Sequence, residues 1–296
     1  MTWIDLHMHS NISSDGEFSP AQLIKLCAEN GIRVAALADH NSVRGIAEAI
    51  QQAKNENIEF IPGIELDCQF DDVSLHLLGL GIDSEYPFFT EIDQFMMKQE
   101  RDLSQKFIES VEKLGIYLDH EELWAKAING IITPEVIAEF ALAHPNNAKN
   151  EILQDYRPGK KYADNPFVSF YWNLCAPGKP AHIPIQLISL NKAIEGIKTA
   201  GGIPILAHPG NNIKMNKELA LAILQEGVMG FEVFSSYHKE KETSFYQSLA
   251  EETKCLITVG SDFHGKTKPL VRLGGVDCNN LEERIYQGLK DTLNHK

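Results

Sequence analysis

The sequence has few features of a secreted or membrane-bound protein. Its 296 residues include five cysteines, which are scattered and form no C-x-x-C pair. This spacing is typical of reduced thiols in the cytosol rather than of a disulfide framework. No apolar run approaches the ~18 residues of a membrane span, and the chain begins directly with a strand-like segment instead of a leader. We therefore expect a cytoplasmic protein with no membrane partner.

Positive charge is also scarce. The chain carries 27 Lys and Arg against 41 Asp and Glu, a formal net charge of -14 at pH 7. A surface of this sign repels polyanions at long range, so we expect no stable complex with nucleic acid. A small phosphorylated ligand is not excluded, because bound divalent cations reverse the field inside a pocket. The chain has enough apolar side chains for a sizeable core, since 43% of its residues are hydrophobic.

Two regions of the sequence alternate apolar, strand-like segments with amphipathic, helix-like ones. The first region has strand-like segments at 2–7, 34–37, 60–65 and 75–79. The second has them at 203–207, 230–234 and 256–259. One helix between them has a clear start, because Ser19 is a good N-cap and Pro20 suits the first helical position. Buried strands alternating with helices predict βαβ units around a parallel sheet.

The stretch between these regions has a different pattern. Apolar residues such as Leu103, Phe107 and Val111 recur at roughly helical spacing. The sequence therefore predicts an α/β protein in which a barrel domain, residues 1–85 and 181–296, is interrupted by a mostly helical insertion, residues 86–180.

Histidine and acidic side chains follow the strand-like segments. His7 and His9 lie two apart in an extended segment, so both point to one face and can reach one metal ion. Later segments are followed by, or contain, His40, Glu65, His76, His208, Asp262 and His264. A single histidine of this kind is usually a hydrogen-bonded structural residue. A set that recurs at strand ends predicts a metal centre at one rim of the barrel, suited to Zn²⁺, Mn²⁺ or Fe ions.

Six motifs resemble those of the polymerase and histidinol phosphatase (PHP) family. They are D-L-H-M-H-S followed by Asp15-Gly16, A-L-A-D-H-N-S, P-G-I-E, L-H-L-L-G, A-H-P-G and G-S-D-F-H. They span nearly the whole chain outside the insertion. The resemblance implies a distorted, TIM-like (β/α)7 barrel that holds two to three divalent metal ions (Mn, Fe or Zn) at its C-terminal rim. It also implies a metal-dependent phosphoesterase.

The resemblance assigns the candidate ligands to three positions. The first ion is expected at His7, His9, Glu65 and Asp262. The second is expected at Asp15, His40 and His264. The third is expected at His76 and His208, with Glu65 bridging it to the first. Many family members have histidine where this chain has Asp15. A carboxylate there favours Mn²⁺ or Fe over Zn²⁺.

Further residues are candidates for catalysis or substrate binding. Asp39 precedes His40 and either orients a ligand or caps the following helix. His238 follows a strand-like segment and is a candidate phosphate contact or general acid, with an exposed surface histidine as the alternative. Candidate contacts to a remote phosphate are Arg157, Lys160, Lys161 and Lys179, which otherwise form a solvated loop. No metal-like setting surrounds His120, His144, His182 or His295.

The substrate is expected to be a small phosphorylated sugar or nucleotide. Segments in the insertion, D-N-P-F-V-S-F-Y-W and G-K-P-A, resemble a PHP branch that hydrolyses phosphoribosyl 1,2-cyclic phosphate. This implies opening of the cyclic diester followed by removal of the monoester.

Three alternatives remain open. The first is a nucleoside 3′,5′-bisphosphate phosphatase or a 5′-end exonuclease on short oligonucleotides, in which aromatic residues stack on a base or else form core: Phe167, Phe170, Tyr171 and Trp172. The second is a histidinol phosphatase, which Asp15 and the long insertion disfavour. The third is a non-catalytic PHP module, against which the complete set of ligand residues argues. The sequence does not set the oligomeric state.

Overall fold

A computed structural model describes residues 2–13, 15–127 and 130–294, so His295 lies outside the described residues. The strands are β1 (Ile4–Met8), β2 (Val34–Leu37), β3 (Glu59–Phe70), β4 (Val73–Leu80), β5 (Ile188–Ser189), β6 (Ile203–Leu206), β7 (Gly230–Ser235) and β8 (Leu256–Gly260). The helices are α1 (Pro20–Glu29), α2 (Ile46–Glu56), α3 (Pro87–Glu112), α4 (His120–Trp124), α5 (Pro134–Ala143), α6 (Pro166–Phe170), α7 (Leu190–Thr199), α8 (Pro209–Asn212), α9 (Lys217–Gln225), α10 (Glu240–Thr253) and α11 (Glu282–Asn294). Among these described helices, none is long and apolar enough to cross a membrane.

The chain divides into two compact units. The first unit contains Met1–Asp93, Leu187–His264 and Val271–Lys296, and the second contains Gln94–Gln186 and Gly265–Leu270. The domain boundaries predicted from the sequence, with an insertion at 86–180, stay a prediction.

The first unit is built on one sheet in the order β1-β2-β3-β4-β6-β7-β8, with the short β5 beside the end of β3. The sheet nearly closes on itself, because Met8 forms a parallel bridge with Phe263 and the backbone N–H of Asp262 donates to the carbonyl of His7 at 2.7 Å. The buried carboxylate of Asp5 strengthens this closure by accepting from the backbone N–H groups of Ser261 and Gly274. An α/β fold with a nearly closed seven-strand barrel confirms the predicted distorted barrel.

The direction of β4 differs from the prediction of a parallel sheet. β4 is antiparallel to both of its neighbours, β3 and β6. Only Asp71 and Asp72 separate β3 from β4, and a parallel crossover needs a dozen or more residues. His76 lies inside β4, as one of the two expected placements had it, and not at the strand's end. His76 nevertheless pairs with Asp67 near the end of β3, so the reversed strand brings it to the same rim.

The helices of this unit bury one face against the strands. The first, α1, begins with a capping box in which Ser19 and Gln22 each accept from the other's backbone N–H. Its buried side chains, including Leu23 and Ile24, share a core cluster with Ala35 and Leu37 of β2. Burying each large apolar side chain stabilises the fold by roughly 1.5–3 kcal/mol. Every position of β1 and β2 is buried, as expected for barrel strands covered on both faces.

The second unit has its own apolar core. Its buried residues include Ile108, Val111, Phe140, Leu153 and Phe170. The segment Tyr171–Cys175 forms a short π-helix after α6. The helical character expected of this part of the chain is therefore present.

Candidate metal centre

The nine predicted ligand residues all belong to groups of side chains whose ligand atoms lie within 4.8 Å of one another. Four such groups occur in the described part of the chain. They are His7, His9, Glu65 and Asp262; His9, Asp15, His40 and His264; Glu65, His76 and His208; and His40, Asp67 and His76. The first three reproduce the predicted positions, with His9 added to the second. Their assignment as metal ligands stays a prediction, and Asp67 was not foreseen.

The first group converges on one point. The Nε2 atoms of His7 and His9 lie 3.1 Å apart, and each lies 3.2 Å from Glu65 Oε2. Both side chains are fully buried. Glu65 Oε2 is buried and accepts no hydrogen bond from the described residues, although three imidazoles surround it. Two imidazole nitrogens and a carboxylate oxygen that converge on one point suit a shared cation, so this donor set fits a divalent metal ion.

The other two predicted groups adjoin the first, because they share His9 or Glu65 with it. Asp15 Oδ2 lies 3.1 Å from His264 Nε2, and the ring of His264 stacks on that of His9. In the third group, Glu65 Oε1 lies 3.0 Å from both His76 Nδ1 and His208 Nε2. Glu65 therefore directs one oxygen to the first group and the other to the third. The bridging role that the family resemblance implies for Glu65 stays a prediction, and this geometry favours it.

Electrostatic interactions in the centre shift several pKa values. Burial alone would raise the pKa of Glu65, but His7, His40 and His76 hold it well below its usual value. Burial disfavours the imidazolium of His7, yet Glu65 and two further carboxylates raise its pKa well above the usual value. The cluster therefore attracts cations strongly. Metal ions compete with protons for such ligands, so metal binding releases protons.

Glu232, on β7, forms hydrogen bonds with two residues of the candidate metal centre. Its Oε1 accepts from His7 Nδ1 at 2.8 Å, and its Oε2 accepts from the backbone N–H of His208 at 2.8 Å. Gly260 makes this approach possible, because a Cβ there would lie 2.3 Å from Glu232 Oε1. With Nδ1 protonated, His7 directs its Nε2 lone pair at the first group. The sequence carried a signal for Glu232, namely a carboxylate within the apolar run G-F-E-V-F-S.

Asp39 lies outside the four groups and positions the loop after β1. Its carboxylate accepts from the backbone N–H and hydroxyl of Ser10, both at 2.7 Å, and from the hydroxyl of Ser13 at 3.0 Å. The Ser13 oxygen in turn lies 3.3 Å from His9 Nδ1. Asp39 thus acts on a candidate ligand through Ser13. The helix-cap alternative is wrong, since the N-cap of α2 is Gly45.

Both imidazole nitrogens of His238 form hydrogen bonds with backbone groups. Its Nε2 accepts from the N–H of Gly210 at 2.9 Å, so Nδ1 carries the proton and donates to the carbonyl of Val233 at 2.8 Å. Burial lowers the pKa of His238, which favours this neutral form. The ring therefore fixes the start of α8 to β7. Its expected part in phosphate contact or proton transfer stays a prediction that this geometry disfavours.

The predicted basic residues of the second unit have different surroundings. Arg157 donates to the carbonyls of Leu142, at 3.3 Å, and Asn147, at 2.8 Å, so its guanidinium stabilises the interior of that unit. The lysines are exposed: Lys160, Lys161 and Lys179. Their role as phosphate contacts stays a prediction, and the use of Arg157 for such a contact is disfavoured.

The aromatic residues and remaining histidines of the second unit are also placed. Phe170 is buried in the core, Phe167 and Tyr171 pack against that core, and Trp172 is 44% exposed. Of these four, Trp172 is the most exposed. The other predicted non-ligands, His120, His144 and His182, belong to none of the four groups.

The chain belongs to the PHP domain family, whose model matches residues 5–159. It is a metal-dependent phosphoesterase of this family, with several His, Asp and Glu clusters suited to a polynuclear metal site.

Curated relatives cover nearly the whole chain. A 3′,5′-nucleoside bisphosphate phosphatase of Chromobacterium violaceum is 27% identical over 96% of this chain and 93% of its own length. A 5′-3′ exoribonuclease of Haemophilus influenzae is 28% identical over 88% and 89%, respectively. A phosphoribosyl 1,2-cyclic phosphate diphosphodiesterase of Eggerthella lenta is more distant, at 23% over 88% and 94%. A solved amidohydrolase structure from Chromobacterium violaceum shares the fold, with a TM-score of 0.79 and 24% identity over 98% of this chain and 97% of that one.

Proposed function

We propose that this phosphoesterase removes a phosphate monoester from nucleoside 3′,5′-bisphosphates. The observation that carries the proposal is the similarity to the Chromobacterium violaceum bisphosphate phosphatase, which extends over 96% of the chain and thus over both units. The cyclic phosphoribosyl substrate favoured by the sequence motifs has weaker support, because the relative with that activity is 23% identical.

A 5′-3′ exoribonuclease activity is the second candidate, supported by the Haemophilus influenzae relative. The charge of this chain separates the two. RNA presents a phosphate at every nucleotide, and proteins that hold it use many Lys and Arg contacts. A chain with a formal net charge of -14 is better suited to one small nucleotide. We therefore place the bisphosphate first and the end of a short RNA second.

We further propose that two to three divalent ions, Mn, Fe or Zn, are held by the nine candidate ligands. When bound, such ions supply a water molecule of lowered pKa and positive charge for the phosphoryl oxygens. The protein's own part is to orient the ligands. Glu232 fixes the tautomer of His7, and Asp39 holds the Ser13 hydroxyl beside His9. Elemental analysis of protein purified without chelator should find two or three ions per chain, and one or none would contradict this.

The substrate proposal is tested by phosphate release from purified, Mn²⁺-supplemented protein. The substrates should include adenosine 3′,5′-bisphosphate, 5′-phosphorylated oligoribonucleotides, phosphoribosyl 1,2-cyclic phosphate, histidinol phosphate and an aryl phosphate. We expect the highest kcat/KM with the bisphosphate. A higher kcat/KM with oligoribonucleotides would support the exoribonuclease candidate. A higher kcat/KM with the cyclic phosphate would support the phosphoribosyl 1,2-cyclic phosphate hydrolase instead.

A matched pair of variants links the activity to the site. Asp262→Asn removes a carboxylate of the first group and should abolish phosphate release while leaving the circular dichroism spectrum unchanged. Asp72→Asn, at the exposed turn between β3 and β4, is the control and should retain activity. Equal activity of both variants would separate the phosphatase activity from this centre.

A further inference from the structure

The fourth group of ligand atoms, formed by His40, Asp67 and His76, lies beside the three positions that the family resemblance assigns. Asp67 Oδ1 lies 3.3 Å from His40 Nδ1 and 3.5 Å from His76 Nε2. The three residues come from different segments, since His40 follows β2, Asp67 lies in β3 and His76 lies in β4. The antiparallel pairing of β3 and β4 sets Asp67 directly opposite His76.

Asn41 aims the carboxylate of Asp67 at the two histidines. Its side-chain amide donates to Asp67 Oδ2 at 2.7 Å, and its side-chain oxygen accepts from the Asp67 backbone N–H at 3.0 Å. Asn41 itself is fixed in the left-handed region, at φ 54°, with its N–H bonded to the carbonyl of Glu65. One carboxylate oxygen is therefore occupied, and the other can only face His40 and His76.

The inner oxygen of Asp67 is buried without a hydrogen bond. Asp67 Oδ1 and His40 Nδ1 both lack a hydrogen-bond partner among the described residues, although they lie 3.3 Å apart. A buried carboxylate oxygen in this state is costly unless a cation satisfies it. Two imidazole nitrogens and a carboxylate oxygen form a donor set that borderline divalent ions such as Mn²⁺ accept.

This group lies on the open side of the centre. The side chains of His40, Asp67 and His76 are 24%, 23% and 32% exposed, whereas those of His7 and Glu65 are fully buried. A bare carboxylate on the side open to solvent would repel an incoming phosphate group. A divalent cation bound to Asp67 would make the local charge positive, which would favour binding of the substrate's phosphate group.

We propose that Asp67 is a metal-coordinating residue and that it holds, with His40 and His76, a further divalent cation at the open side of the centre. A neutral imidazole offers one lone pair, so His76 serves either this ion or the ion beside Glu65 and His208, and His40 serves either this ion or the ion beside Asp15 and His264. The cation at Asp67 is therefore the most weakly held in the centre. The inference extends the proposed metal assignment and is independent of which phosphate ester is the substrate.

A crystal of the protein soaked in excess Mn²⁺ tests the proposal directly. The anomalous difference map should show a peak within about 2.5 Å of Asp67 Oδ1, the outer range of carboxylate–cation contacts. Peaks at the other three groups with none beside Asp67 would overturn the proposal while leaving the proposed metal centre and substrate intact. This separates its failure from that of the proposed function.

Mn²⁺ titration followed by electron paramagnetic resonance gives a second test. Asp67→Asn keeps the shape of the side chain and its pairing with Asn41 but removes the charge. It should abolish the weakest class of Mn²⁺ sites or weaken it at least tenfold, and leave the tight sites filled. The control Asp72→Asn, two residues beyond β3, should titrate like the wild type. An Asp67→Asn curve that matches the wild type would contradict the proposal.

Discussion

Glu232 accepts a hydrogen bond from His7 Nδ1 at 2.8 Å, and both side chains are fully buried. The bond places the imidazole proton on Nδ1 and leaves the Nε2 lone pair for the first group of candidate ligands. The same carboxylate also accepts a hydrogen bond from the backbone N–H of His208. One buried side chain therefore holds both His7, on β1, and His208, just after β6.

Replacing Glu232 with Gln should therefore weaken metal binding. The amide can donate as well as accept, so it no longer fixes the tautomer of His7. Loss of such a supporting contact typically lowers metal affinity by about 10–100-fold. Mn²⁺ titration by calorimetry measures the change, and Glu226→Gln, an exposed position before β7, is the control. Identical affinities for the two variants would show that Glu232 does not orient His7.

The pKa shifts predict how pH affects the stability of the metal-free protein. Burial opposes protonation of His7 and His40, but Glu65 and the neighbouring carboxylates outweigh it and raise both pKa values well above the usual 6.5. Protonation of these residues stabilises the metal-free fold fully below pH 6.5, and this stabilisation is lost as the pH rises through the raised values.

Thermal unfolding at a series of pH values checks this dependence. The Tm of chelator-treated protein should fall as the pH rises above neutrality, whereas Mn²⁺-loaded protein should change less, because the ions replace the protons. The stabilisation by Mn²⁺ should thus grow with pH. A metal-free Tm that is constant or rises over this range would contradict the raised histidine pKa values.

His238 is expected to support stability rather than proton transfer. Both ring nitrogens bond to the backbone, so His238→Ala should lower the free energy of unfolding by about 1–3 kcal/mol through two lost hydrogen bonds. Denaturant unfolding measures this loss. The pH dependence of kcat should keep its shape, since no titrating catalytic group is removed. Loss of one limb of the pH profile, with stability unchanged, would restore His238 as a general acid.

Substitutions can distinguish a structural role from a phosphate-binding role for the basic residues of the second unit. Arg157→Ala should lower the stability of the protein, because its guanidinium donates hydrogen bonds to the carbonyls of Leu142 and Asn147.

If Lys160 and Lys161 contact a remote phosphate, the double Ala variant should raise KM for a bisphosphate, with each lost contact costing roughly 1.5–3 kcal/mol. KM for an aryl phosphate should stay the same. Equal effects on both substrates would show that the lysines do not bind a second phosphate.

The ligand candidates could be found from sequence because their spacing has direct physical meaning. His7 and His9 alternate with apolar residues in an extended segment, so they share a face. Asp67 stands in the same relation to Glu65, two residues away in β3, and the same argument would have found it. It was missed because the predicted strand ended at Glu65, whereas β3 continues to Phe70.

Other features depend on tertiary structure that local patterns do not specify. The reversed direction of β4 follows from its two-residue connection, which a prediction of uniform βα units overlooked. The partners of Arg157 are two backbone carbonyls, and periodicity gives no information on such contacts. His238 looked like a reactive group because it follows a strand, but only the fold brings Gly210 to its second nitrogen.

The near-closure of the sheet also governs the order of folding. His7 and Glu232 are 225 positions apart in the chain, and Asp5 and Ser261 are 256 apart, so the residues around the first group meet only after a very long loop has closed. Contacts of such high sequence separation form late, because the entropy of loop closure is lost before they stabilise the chain. Cations are therefore expected to bind in the last phase of refolding. A chelator added during refolding should leave the early phases unchanged and remove the final gain in stability.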